Sequence, residues 1–195
     1  MPPALATQTR LVNSQTPPTS ILTLMLIHQY SPEWSVAFTK IKQELQSALR
    51  GLPYRIEHVG STAVPHLASK PIIDVDIIYS ADDEFHPIKS RLLTIGYYHN
   101  GNQGIEAREV FKRNGRVYNQ VLDKVRHHLY VCPADSPALQ RHLLFRDALR
   151  NDASARKQYE RMKYGLAERA HQNQAVYADL KELTVNDFID RLIRQ

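Results

Sequence analysis

EHVGSTAVPHLASKPIIDVDIIYS, residues 57–80, sets two aspartates into what otherwise reads as a buried strand. Pro71 to Tyr79 is rich in β-branched residues, the composition of a chain segment that packs on a sheet. Side chains alternate along a strand. Asp74 and Asp76 therefore point to one face, with their Cα atoms about 7 Å apart, while Ile73, Val75 and Ile77 point to the other. Two carboxylates converging on one patch of an apolar strand repel each other and resist burial, so they need a cation, several donors, or water. A divalent metal meets that need. Mg2+ takes one or two carboxylates together with substrate phosphates, and nearby histidines favour Mn2+ or Zn2+. Asp74 and Asp76 are the candidate metal ligands, with Mg2+ or Mn2+ the expected cofactor.

Immediately upstream, Gly60-Ser61-Thr62 breaks a preceding strand, Tyr54 to Val59. Gly60 lets the backbone approach a ligand closely, and the amides and hydroxyls of Ser61 and Thr62 can then donate to phosphate oxygens. Lys70 adds a point charge on the connector between the two strands. A phosphate cradle beside a metal site is chemically coherent.

Outward from this block the chain reads as α+β. Ser31-Pro32-Glu33 opens a helix whose apolar face is Trp34, Phe38, Ile41, Leu45 and Leu49, closed by Gly51 and Pro53. Asp82 and Asp83 are expected to cap a second helix, with Phe85, Ile88, Leu92 and Ile95 on one face and Gly96 at its end. Residues 97–132 read as further strands, with a turn at Asn114-Gly115 and alternation through Val125, His127, Leu129 and Val131. From Ser136-Pro137 onward the pattern is helical, with breaks near Asn151-Asp152 and Asn173, and Thr184 is expected to cap a last helix. The expected organisation is a disordered arm over residues 1–20, an α/β core over 21–135 and a helical region over 136–195 packed on that core.

The composition is that of a globular chain: of 195 residues, 43% are hydrophobic and 23% charged, which argues against whole-chain disorder. A net charge of +5 suits a soluble protein and also suits phosphate-bearing partners. Cys132 is alone, so no intramolecular disulfide is expected and a reducing compartment fits. The apolar run from Ile21 to Ile27 is far short of the roughly 20 residues that cross a bilayer, and a cytoplasmic location is expected.

YSPEWSVAF, IEHVGSTAVPHLASKPIIDVDI, VRHHLYV and LLFRDALRND, with Tyr159 and Lys163 further on, together resemble the GrpB family, also labelled UPF0157, of the nucleotidyltransferase superfamily. The resemblance covers roughly residues 28–190. It implies a polymerase-β-like nucleotidyltransferase core, a small mixed sheet with helices on one side plus a C-terminal helical region. It also implies that Gly60 and Ser61 hold a nucleoside triphosphate and that Asp74 and Asp76 hold divalent metal. Active members of the superfamily usually supply a third acid from a later strand. Here that strand presents Arg126, His128 and Tyr130, so either His128 or Glu109 on the neighbouring strand stands in, or catalysis is lost.

Among the histidines near the block, His128 is the candidate base or ligand, because alternation groups it with Arg126 and Tyr130. On the C-terminal helices Arg146 and Arg150 share a face, as do Tyr159 and Lys163. They either close over a phosphate or form a solvated face paired to residues such as Asp147. Three functional readings follow. The first is a metal-dependent nucleotidyltransferase acting on a nucleoside triphosphate and an unidentified acceptor. The second is a non-catalytic nucleotide-binding module. The third makes the basic helical half an RNA-binding surface, which lacks the aromatic clustering of a stacking platform.

Overall fold

Ile73–Tyr79 forms the central strand that its β-branched run predicts, and the rest of the sheet assembles around it. The computed structural model describes residues 25–194. The arm expected over residues 1–20, and the start of the apolar run at Ile21, lie outside the described residues. In chain order the strands are β1 (Arg55–Val59), β2 (Ile73–Tyr79), β3 (Tyr97–His99), β4 (Glu109–Arg113) and β5 (His127–Pro133). The helices are α1 (Glu33–Ala48), α2 (Phe85–Thr94), α3 (Gln120–Lys124), α4 (Pro137–Asn151), α5 (Ala153–Arg169) and α6 (Gln174–Ile193).

The sheet order is β1-β2-β5-β4-β3. It is mixed: β2 and β5 run parallel, and the other pairs are antiparallel. One face carries Val75, Ile77, Leu129, Val131 and Phe111, all buried against Ile41 and Leu45 of α1 and Ile88 and Leu92 of α2. The apolar alternation of β2 thus fills one core and leaves the aspartate face free for the site. A second core joins α4, α5 and α6 to the segment before β2, with Val64, Leu67 and Ala68 packed among Leu149, Tyr159, Tyr177 and Phe188. This is a mixed α/β architecture, with C-terminal helices roofing the polar face of the sheet.

Several local expectations change in the structure. Asp82 and Asp83 cap nothing; the Glu84 carboxylate reaches back to accept from the Ser80 and Ala81 amides at 2.8 and 3.1 Å. The Asn114-Gly115 turn does not lead directly into the next strand. Asn119 accepts from the Val121 and Leu122 amides, both at 2.9 Å, and starts α3, so β5 begins at His127. Thr184 lies exposed inside α6, which Asn173 caps through the Ala175 and Val176 amides. The Asn151-Asp152 break is as read: the Asp152 carboxylate caps α5.

Candidate functional site

The parallel pairing of β2 with β5 sets Asp74 beside His128 and Asp76 beside Tyr130. Because paired residues share a face, all four stand under the roof of C-terminal helices. His128 Nδ1 lies 2.9 Å from Asp74 Oδ1, and His142 Nδ1 of α4 lies 2.9 Å from Asp76 Oδ2. Burial pushes the Asp74 carboxyl up, but the His128 hydrogen bond and the basic groups around it, Lys181 among them, prevail and hold it below the usual carboxylate range.

Gly60 presses directly on this site. Its φ of +71° with ψ of −172° belongs to a region that only glycine occupies readily. A Cβ there would stand 2.9 Å from the Asp74 Cγ. The turn therefore brings Ser61 into the same cavity wall as Asp74.

A cavity of about 830 Å³ opens between the sheet and the roof, lined by Gly60, Ser61, Lys70, Asp74, His128 and Tyr130 from the core and by Tyr159, Lys163, Tyr177 and Lys181 from α5 and α6. Lys163 is 2% exposed, donates to the Ala68 carbonyl and lies 4.6 Å from the Tyr159 ring centroid. Lys70 lies 4.7 Å from the Tyr177 centroid. Burial pulls the Lys163 ammonium down to about 7, with Lys181 adding to the effect; Lys70 is lowered for the same two reasons in the same order. Among the described residues none of these three lysines forms an ion pair with a carboxylate. Three lysines without a carboxylate ion-pair partner thus line one wall of the cavity.

Other predicted site residues fall elsewhere. Thr62 is buried; its hydroxyl donates to the Ile72 carbonyl at 3.1 Å and contacts His58 Nε2 at 3.1 Å, so it braces the turn and does not line the cavity. Arg146 donates to Glu57 Oε2 at 2.8 Å and the His58 carbonyl at 3.0 Å, and also pairs with Asp147. Arg150 donates twice to the Ala63 carbonyl. Both arginines spend their donors tying α4 to β1 and the Gly60 turn. Glu109 pairs in register with Val131, on the α1/α2 face, and bonds His99, which removes it as a stand-in acid.

The aspartate pair fits a hard divalent cation through its two carboxylates. Asp74 faces the cavity, whereas Asp76 is fully buried one step along the strand, contacted by His142. Its Oδ1 is buried without a hydrogen-bond partner, an acceptor left open on the aspartate face. Among the described residues no group of three or more His, Cys, Asp or Glu side chains is arranged to hold a metal by itself, so substrate oxygens would have to complete a Mg2+ or Mn2+ shell at Asp74 and Asp76.

Among the cavity residues that escape sequence reasoning are Lys181, Arg108 and His142. Lys181 had a signal, since Tyr177 and Lys181 repeat on α6 the four-residue spacing of Tyr159 and Lys163 on α5.

Residues 25–191 match the family model described as GrpB protein. The chain belongs to the GrpB family. Among its GrpB-family relatives, the UPF0157 protein YqkA of Bacillus subtilis is 33% identical over 138 residues, 71% of this chain and 38% of YqkA. The chain thus spans little more than a third of that relative. The crystal structure of the conserved protein GrpB from Enterococcus faecalis superposes with a TM-score of 0.69 at 27% identity, covering 86% of this chain and 94% of that one. The Cid1 poly(U) polymerase with MgGTP bound superposes with a TM-score of 0.53 at 14% identity, covering 73% of this chain and 45% of Cid1. At that identity the likeness shows the fold alone, one shared with that polymerase. Among the described residues no helix is long and apolar enough to cross a membrane.

Proposed function

We propose that this GrpB-family chain binds a nucleoside triphosphate with Mg2+ or Mn2+ in the roofed cavity and transfers a nucleotidyl group to an acceptor. The observation that carries this reading is the placement of three carboxylate-free lysines, Lys70, Lys163 and Lys181, in the same cavity as Asp74 and the Gly60-Ser61 turn. In it the lysines and the Ser61 hydroxyl hold the triphosphate, and Gly60 allows the phosphates close to Asp74. A metal at Asp74 and Asp76 would neutralise charge on the transferring phosphate. The acceptor oxygen attacks the α-phosphorus in line as the bond to pyrophosphate breaks. We assign the acceptor proton to His128 Nε2, which makes no hydrogen bond among the described residues while Nδ1 is held by Asp74.

A second reading, a nucleotide-binding module without catalysis, is favoured by one feature: Asp76 is fully buried against His142, and the third acid on this face, its register partner Glu57, is held by Arg146. One experiment separates them. Wild type, Asp74→Asn and Asp76→Asn are melted with each of the four nucleoside triphosphates, with and without Mg2+ or Mn2+, and pyrophosphate release is followed in parallel in the presence of a broad acceptor mixture. A ligand at a hundred times its dissociation constant adds about 2.7 kcal/mol. Metal-dependent stabilisation confined to the wild type, with pyrophosphate released, supports transfer. Stabilisation without release supports the module, and no stabilisation of the wild type by any nucleotide defeats both.

A further inference from the structure

Arg108 sits at the end of the β3–β4 loop, on the cavity wall, with its guanidinium carbon 4.8 Å from the Tyr130 ring centroid. Its Nε is buried and has no hydrogen-bond partner, and among the described residues the side chain makes no ion pair. Stacking on Tyr130 accounts for the burial but not for the missing acceptor. A buried guanidinium N–H left without an acceptor is costly, and such groups in folded proteins call for an explanation. The loop that delivers it is strained. Ala107, the residue just before, has φ of +55°, and Gln103 has φ of +52°. Left-handed backbone is uncommon at alanine, whose Cβ it crowds.

This group is separate from the lysine cluster. Arg108 stacks on Tyr130 of β5, whereas Lys70 and Lys163 lie over Tyr177 of α6 and Tyr159 of α5. By strand order Arg108 stands two strands from Asp74, and it is offset along the sheet as well, level with Cys132 where Asp74 is level with His128. The cavity therefore has two cationic poles, Arg108 at one and the lysines beside Asp74 at the other. The lysines suit the triphosphate, and a second anion belongs at the other pole.

We propose that Arg108 is a binding residue for an oxyanion on the acceptor, a phosphate or carboxylate that its planar fork grips while Tyr130 fixes the fork's plane. The site stands on Arg108 alone; calling its ligand the acceptor rests on the nucleotidyltransferase reading.

The test is calorimetric titration of inorganic phosphate, and separately of acetate, into the full-length wild type, Arg108→Met, Arg108→Lys and Lys181→Met. The wild type is expected to show an anion site that Arg108→Met weakens about ten-fold or more and Lys181→Met leaves in place. Arg108→Lys keeps the charge without the fork and is expected to fold and to bind several-fold more weakly, which keeps the test decisive if Arg108→Met does not fold. An Arg108-dependent response to phosphate assigns a phosphorylated acceptor, and one to acetate assigns a carboxylate. Equal binding of both anions by the wild type and the Arg108 variants overturns the proposal. If no nucleoside triphosphate stabilises the wild type yet Arg108-dependent anion binding persists, the oxyanion site stands and the nucleotidyl-transfer reading falls.

Discussion

Asp74 Oδ1 and His128 Nδ1 meet at 2.9 Å across the parallel β2–β5 pair, where the two residues are register partners. Asp74 is held below the usual carboxylate range and accepts, so Nδ1 carries the proton and Nε2 is left as the free nitrogen. The histidine thus orients the carboxylate proposed to hold the metal. Loss of such an orienting partner typically weakens metal binding 10-fold or more. His128→Ala is expected to weaken Mn2+ binding, followed by electron paramagnetic resonance, by about ten-fold. Because the His128 side chain is 53% exposed, the melting temperature should barely move. Unchanged Mn2+ affinity would remove His128 from the site.

Gly60 links backbone geometry to the same carboxylate. Gly60→Ala must either leave its φ of +71° or drive its Cβ into Asp74. Strain of this kind costs about 1–3 kcal/mol. The variant is expected to melt lower and to lose nucleotide-dependent stabilisation. A variant that melts lower but keeps the nucleotide response would show that the turn can shift without disturbing the site.

How much of this was legible in the sequence depends on the range of the interactions. The face shared by Asp74 and Asp76, the apolar face of α1 and the proline-led start of α4 follow from local periodicity and capping, and each is present. Helix α3 was hidden because five residues are too few to show a period, and only the Asn119 cap reveals it. Burial of Asp76 against His142 and the approach of Lys181 depend on how α4 and α6 cross the sheet, which no local pattern encodes. Arg146 and Arg150 were grouped correctly on one face of α4. That face turns toward β1 and not toward the cavity, a choice made by tertiary packing.

Arg146 accordingly belongs to the frame. It is 9% exposed, and its guanidinium satisfies Glu57 and the His58 carbonyl, so truncation leaves buried acceptors open. Arg146→Met is expected to destabilise the fold by about 2–4 kcal/mol, read by urea denaturation. Nucleotide affinity measured on the folded protein at low temperature should stay within about two-fold, since the side chain does not line the cavity. A selective loss of affinity without loss of stability would return Arg146 to the phosphate site.

Lys163 predicts an unusual alkaline stabilisation. Its ordinary value is 10.5, and burial followed by the Lys181 charge brings it to about 7 in the fold. Between those two values the unfolded chain binds the extra proton, so this group makes stability rise with pH across that window, and its burial penalty is fully present below about pH 7. Lys163→Met removes the penalty. Relative to wild type the variant should gain most at pH 6 and progressively less toward pH 10, with a change across the window of up to about 4 kcal/mol. A difference independent of pH would mean that Lys163 titrates normally.

The same lysine gives nucleotide binding a proton signature. In the free protein at pH 8 an ammonium with a value of about 7 is mostly neutral. A triphosphate brought against it favours the charged form and raises that value, so binding must draw a proton from solution. Calorimetry of nucleotide binding at pH 8 in buffers of different ionisation enthalpy should show uptake approaching one proton per nucleotide, absent in Lys163→Met. At pH 6 the lysine is already charged before the ligand arrives, and the uptake from this group should vanish. The pH dependence separates phosphate contact at Lys163 from a merely structural role, because a lysine held only by the Ala68 carbonyl and the Tyr159 ring has no reason to change its protonation when nucleotide binds. Nucleotide binding with no Lys163-dependent uptake at pH 8 would place the phosphates elsewhere in the cavity.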